Sequence, residues 1–229
     1  PNLDCAQPHD HPGQPVEPLM IRAKSESAEE TAGLLNDLTR RSWDILSEHP
    51  VNRQRIGEGK DPANSIWAWS PGRRPEMITF RERFNISGAV ISAVDLIRGI
   101  GVYAGLEVIN VEGATGLWET NYEGKADACL DALKRHDFVY VHVEGPDEAG
   151  HDGNLAQKIQ AIEWLDSRLI RRVVEGLESS GTPAVMAVLP DHPTPIRSRI
   201  HTRDPIPFAI RDPRVEPDEI EFYDEFSCR

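Results

Sequence analysis

No apolar run in this chain reaches the length needed to cross a bilayer. Its start, PNLDCAQPHDHPGQP, has neither the basic nor the apolar stretch of a secretory signal. Cysteine is scarce: Cys5, Cys129 and Cys228 are odd in number, far apart and without CxxC spacing. That argues against a disulfide framework and for a reducing compartment, so a cytoplasmic location is the expectation. Positive charge is in deficit as well. A formal charge of −13 argues against nucleic acid and against an anionic membrane as partners. It leaves room for a local basic pocket that takes a phosphorylated small molecule. There is no internal repeat, no low-complexity tract and no initiator methionine, and an opening on Pro1 resembles the middle of a longer chain.

What is present is a succession of short apolar strands and amphipathic helices. Residues 1–17, rich in Pro, His, Gly and Asp, read as an irregular linker, with His9 and His11 in a turn rather than a metal pair. A strand is expected at 18–24. A helix follows, opened by a Ser27/Glu30 capping box and carrying Leu34, Leu35, Leu38, Ile45 and Leu46 at helical spacing. SIWAW (65–69) reads as a strand whose Trp67 and Trp69 share one face. Residues 87–103, with Val90, Ile91, Val94, Ile97 and Ile100, read as a helix, and 106–111 as a strand. From Glu123 the alternation is cleaner: helix, strand FVYVHV, a long helix from Leu155 to Leu177, strand AVMAVL, a loop, and a last strand PFAIR. Apolar strands separated by helices indicate an α/β fold with a parallel sheet covered on both faces. A boundary near residue 112 divides a smaller α+β unit (18–111) from a larger α/β part (112–229).

Chemistry concentrates after two of these strands. VYVHVEGPDEAGHDGN places Asp147 and His151 four apart where strand gives way to helix, at the sheet edge where α/β proteins bind ligands. Asp191-His192 follows AVMAVLP and is expected at the same edge of the same sheet, with His201 in the loop beyond. One such pair is ordinary, since Asp, Asn and His serve as caps and turn residues, and Asp152 or Asn154 could simply cap the next helix. Two pairs at equivalent strand ends, with a third histidine, point to metal. Carboxylate and imidazole together suit Zn or Mn, with Mg or Co where oxygen dominates. Two clusters suggest two ions assisting an in-line phosphoryl displacement.

The motifs HVEGPDEAGHDG…K..AIEWLD and LPDHPTP…H..DPIPF resemble the archaeal-type cofactor-independent phosphoglycerate mutases of the alkaline phosphatase superfamily. HPVN, GKDPANSIWAW, GAVISAVDLIRGIGVYAGLEVINVEGATG and TNYEGKA resemble the same family in the same order. The resemblance implies part of an alkaline-phosphatase-like α/β/α core with a smaller α+β cap over the substrate. It implies a glycolytic isomerase interconverting 3-phosphoglycerate and 2-phosphoglycerate through a phosphoserine. It also implies two divalent ions (Mn, Zn, Co or Mg), one held by Asp147, His151 and His201 and the other by Asp191 and His192. Lys125, in NYEGKA, and Lys60 and Asn64, in GKDPAN, match positions near the substrate. The family's serine and one further aspartate ligand belong to a preceding segment without counterpart here. Ser65, Ser70, Ser179 and Ser180 do not sit in its context, so a fragment without its nucleophile is the expectation.

Each of these side chains has an ordinary reading as well: Lys125 as a solvated lysine at a helix start, Lys60 and Asn64 as parts of a solvated loop. Arg73, Arg74, Arg197, Arg199 and Arg203 could grip an anion bidentately, though most such arginines are surface residues. His142 reads as a core histidine or one that supports the ligands. The alternatives to a mutase are a phosphatase or phosphonate hydrolase of the same superfamily, or a non-catalytic module that binds metal or a partner. Half an α/β sheet would expose an unpaired edge. The isolated chain is therefore expected to pack against a second copy as a homo-oligomer or to retain residues upstream of Pro1.

Overall fold

A computed structural model describes residues 2–8, 11 and 13–228, and the chain divides into two units, residues 1–75 and 76–229. His9 lies outside the described residues. In the first unit Leu3–Asp4 (β1) pairs antiparallel with Arg22–Ala23 (β2), and helix Glu29–Ser47 (α1) packs its Ala32 beside Leu3, Ile21 and Ala28. α1 begins one residue later than the Ser27 box implies, and its N-cap Ala28 makes no side-chain cap bond. Ser27 Oγ instead pairs with Ser25 Oγ at 3.0 Å. His49 caps a second helix, Pro50–Gly57 (α2), through Val51 N, so HPVN starts a helix as well as ending one.

The strand expected at 65–69 does not form. Helix side chains take the backbone bonds a neighbouring strand would supply: Ile66 N donates to Ser42 Oγ (3.0 Å) and, just ahead of the stretch, Ala63 N to Asn52 Oδ1 (3.0 Å). The Trp67 indole donates to the Ala6 carbonyl at 2.9 Å.

The second unit opens with Phe80–Phe84 (α3), started by a complete Thr79/Glu82 capping box. Gly88–Ile91 (β3) is then the centre of a parallel sheet, flanked by Glu107–Ile109 (β4) and Phe138–Val141 (β5). This corrects the single helix expected over 87–103: Asp95–Tyr103 (α4) forms only after the strand. Ala89, Val90 and Ile91 are buried on both faces, and a short run that is apolar on both faces fits either period. Gly101 of α4 lies so close to Val90 that an added Cβ would fall 2.4 Å from Val90 Cγ1. Because β3 and β4 share a sheet with β5, the boundary read near residue 112 falls inside the second unit.

Tyr122–Ala132 (α5) starts at Asn121, whose side chain accepts from Gly124 N (2.8 Å), and buries Tyr122, Ala126 and Cys129. These meet Ile91 and Leu169, Val173 and Leu177 from the long helical run. That run comprises Leu155–Trp164 (α7), a wider π-helical turn at Leu165–Ile170, and Arg171–Ser180 (α8), and Gly181 ends it at φ +66°. Gly145–His151 (α6) precedes it. Met186–Val188 (β6) pairs antiparallel with Ala209–Arg211 (β7), and β6 is not part of the three-stranded sheet the sequence reading assigned it to. Its half-buried alternation suits a strand with one partner and one open face. All three cysteines are free, and among the described residues no helix is long and apolar enough to cross a membrane.

Candidate metal centre

The apolar run of β5 ends at Val141, and Pro146 in the first turn of α6 starts the short helix that follows. Its entry requires glycine: a Cβ on Gly145 would lie 2.8 Å from Trp118 Cα and 3.1 Å from Leu117 O. Asp147 falls in the first turn and His151 at the end, one turn apart on one face. Asn154 caps α7 by accepting from Gln157 N, so the ordinary reading accounts for Asn154 but leaves Asp147 and His151 free for other work.

The loop after β6 brings the second pair and the third histidine to the same place. Thr202 N donates to Pro193 O (3.1 Å), which closes the loop on itself, and Lys158 Nζ donates to Thr194 O (2.6 Å), which ties it to α7. Asp147, His192 and His201 each bring a ligand atom within 4.8 Å of the others. His201 Nε2 lies 3.5 Å from Asp147 Oδ1, and His151 Nε2 lies 3.3 Å from Asp147 Oδ2. The His192 and His201 rings are 3.7 Å apart at their centroids. Asp191 stands at the exposed rim, its Oδ2 3.4 Å from His192 Nε2 and its Oδ1 accepting from His192 N. The two pairs therefore form one contiguous set with Asp147 at its middle, rather than two separate clusters.

Hydrogen-bond chemistry tests whether these groups suit a cation. His151 Nδ1 lies 2.9 Å from the Arg199 carbonyl, which can only accept, so in the neutral ring Nδ1 carries the proton and Nε2 keeps its lone pair. That lone pair faces His201 Nε2 at 3.0 Å and the Asp147 carboxylate. Converging imidazole nitrogens and a carboxylate, with one histidine's tautomer fixed by a backbone carbonyl, are what a divalent ion of the Zn or Mn type requires. The donor set fits the metal.

Around this set lies a second line of polar groups that the sequence reading singled out only at His142. His142 Nε2 pairs with Glu144 Oε2 (2.6 Å), and Tyr140 OH reaches His142 Nδ1 (3.2 Å). Glu144, Asp147 and Glu148 bring carboxylate oxygens within 4.8 Å of one another. Burial, with Asp147 and Glu144 beside it, raises the Glu148 pKa. Lys60 pairs with Glu58 at 2.7 Å in an exposed loop of the first unit, where Asn64 is exposed too. Arg73, Arg74, Arg197, Arg199 and Arg203 are exposed, and Arg199 lays its guanidinium against Gly153, where a Cβ would meet Nε at 2.3 Å.

Lys125 is not the solvated lysine of its ordinary reading: it is 1% exposed, and Nζ donates to the His142 carbonyl at 3.1 Å. Burial lowers its pKa from 10.5 to about 8, against the opposing pull of Glu144. The folded value lies below the unfolded one, so between about pH 8 and 10.5 the unfolded chain binds the extra proton. Stability from this group should therefore rise with pH through that window and be flat below it. Urea midpoints of the wild-type and Lys125→Met chains across the window check this, because the methionine chain should lack that share of the rise.

The metalloenzyme superfamily model matches residues 22–228. The 2,3-bisphosphoglycerate-independent phosphoglycerate mutase of Methanosarcina acetivorans is 51% identical over 99% of this chain and 56% of its own length. A probable enzyme of the same name from Geobacter sulfurreducens is 50% identical over 99% and 55%. Among solved structures, the PH0037 protein of Pyrococcus horikoshii is similar at 30% identity and a TM-score of 0.74, over 89% of this chain and 53% of that one. The cofactor-independent phosphoglycerate mutase of Thermoplasma acidophilum is similar at 29% identity and a TM-score of 0.54, over 99% and 53%. The chain spans about half the length of the curated relatives it matches.

Proposed function

Because this chain belongs to the metalloenzyme superfamily, we propose that it supplies the metal-holding part of a phosphoglycerate mutase, interconverting 3-phosphoglycerate and 2-phosphoglycerate. The observation that carries the proposal is the convergence of Asp147, His151, His192 and His201 in a chain half identical to such mutases. Asp147, His151 and His201 would hold one divalent ion, and His192 with Asp191 a second. Such ions, when bound, supply charge stabilisation for in-line phosphoryl transfer. Asp147 gives the set its negative charge, and the Arg199 carbonyl keeps His151 in the tautomer that can ligate. Lys60 and Asn64 are proposed to offer the substrate's phosphate and carboxylate a point charge and a hydrogen-bond donor, and Lys125, buried with Nζ on the His142 carbonyl, to support that site without touching it.

The proposal assigns the phosphoryl-accepting serine to the part of the relatives' length that this chain does not match. Ser198, close in sequence to the ligands, directs its hydroxyl to the Pro195 and Ile200 carbonyls (3.3 and 3.4 Å). The 18–111 segment, read as a cap, would exclude water so that the phosphoryl group returns to glycerate. Assaying the complete encoded protein for mutase turnover and for hydrolysis of generic phosphate esters tests the reading. Mutase turnover with little hydrolysis is expected, whereas hydrolysis alone would transfer the site to a phosphatase.

A further inference from the structure

We propose that Thr194 is a positioning residue that orients Asp147 and fixes which nitrogen of His192 is available as a ligand. The inference rests on the metal centre described above, and it follows from counting protons. Thr194 is 3% exposed, and its Oγ1 donates to Asp147 Oδ1. The same Oγ1 lies 3.3 Å from His192 Nδ1. A hydroxyl has one proton. Once it is given to the carboxylate, Oγ1 can only accept from the imidazole, so Nδ1 must carry the His192 proton. In the neutral ring Nε2 then keeps its lone pair. One hydroxyl thus holds a carboxylate ligand in orientation and prepares an imidazole ligand two residues away, joining α6 to the loop that carries His192 and His201.

The loop's position does not depend on that hydroxyl. Lys158 Nζ holds the Thr194 carbonyl, and Thr202 N holds the Pro193 carbonyl. Thr194→Val, of nearly the same shape, should leave the loop in place while removing the shared hydroxyl, and Thr194→Ser should keep it.

The test is titration of the chain with MnCl2 by calorimetry, together with nitrogen-15 NMR of the histidine tautomers without metal at a pH where imidazole is neutral, above about 8. Thr194→Val should bind Mn2+ about 10–100-fold more weakly than wild type, the range for losing a group that supports a ligand. Thr194→Ser should stay near wild type. The wild-type His192 ring should be protonated at Nδ1, and the valine variant should lose that preference. A valine variant with wild-type affinity and tautomer would overturn the role of Thr194 and leave the metal centre standing. Wild-type His192 protonated at Nε2 would overturn it even if the valine variant failed to fold. A wild-type chain that takes up no Mn2+ would overturn the inference together with the metal centre.

Discussion

Asp147→Asn is expected to weaken Mn2+ binding by more than about 100-fold, beyond the range seen when only a supporting group is lost. Asp147 is the group the others surround. Its Oδ1 faces Thr194 Oγ1, His201 Nε2 (3.5 Å) and His192 Nδ1 (4.0 Å), and its Oδ2 faces His151 Nε2 (3.3 Å). Asparagine preserves the size and one acceptor oxygen, so the Thr194 hydroxyl keeps a partner and the fold should survive. What disappears is the negative charge at the middle of the set, on which the proposed binding of a cation depends. Calorimetric titration alongside a thermal melt separates the two effects. An asparagine chain that melts normally and binds Mn2+ as tightly as wild type would remove Asp147 from the ligand set.

Gly150→Ala should destabilise the second unit by about 1–3 kcal/mol, the usual cost of forcing an extra carbon into a packed site. Helix propensity pulls the other way, since alanine gains about 1 kcal/mol over glycine in a helix interior. Packing decides the sign. A Cβ at this position of α6 would lie 2.5 Å from the Thr194 carbonyl oxygen, 2.9 Å from Thr194 Cγ2 and 3.0 Å from Lys158 Nζ. The first of these atoms is backbone, so relief requires moving the loop that carries His192 and His201. Metal affinity should therefore fall together with the urea midpoint. An alanine chain at least as stable as wild type, with affinity unchanged, would mean that the loop yields freely.

How far the sequence could be read depended on how local each signal was. The Asp147/His151 spacing survives intact because four residues of helix make one turn wherever the helix lies. The strand FVYVHV, helix α5 and the long helix after Asn154 were legible for the same reason: an apolar run or period bounded by a cap. Residues 87–103 were not. GAVI and the helix after it are both apolar, and only burial against β4 and β5 makes the first four residues a strand. SIWAW alternates like a strand, yet Ser42 of α1 took the Ile66 backbone N–H, and Asn52 of α2 that of Ala63 just before it.

By itself, then, the sequence determined the types of the candidate ligands, their spacing within each segment and the α/β class, since all of these are encoded within one or two turns of chain. Tertiary structure alone decided that the two pairs meet, that His192 lies against His201, and that Lys125 is buried. It also recruited two groups with no local signature. The Arg199 carbonyl belongs to every residue type, and Thr194 reads as an ordinary loop threonine until folding sets its hydroxyl between residues 47 positions apart and two positions apart. A hydrogen bond across that separation is created by the packing of α6 against a loop, and no pattern in the linear chain records it.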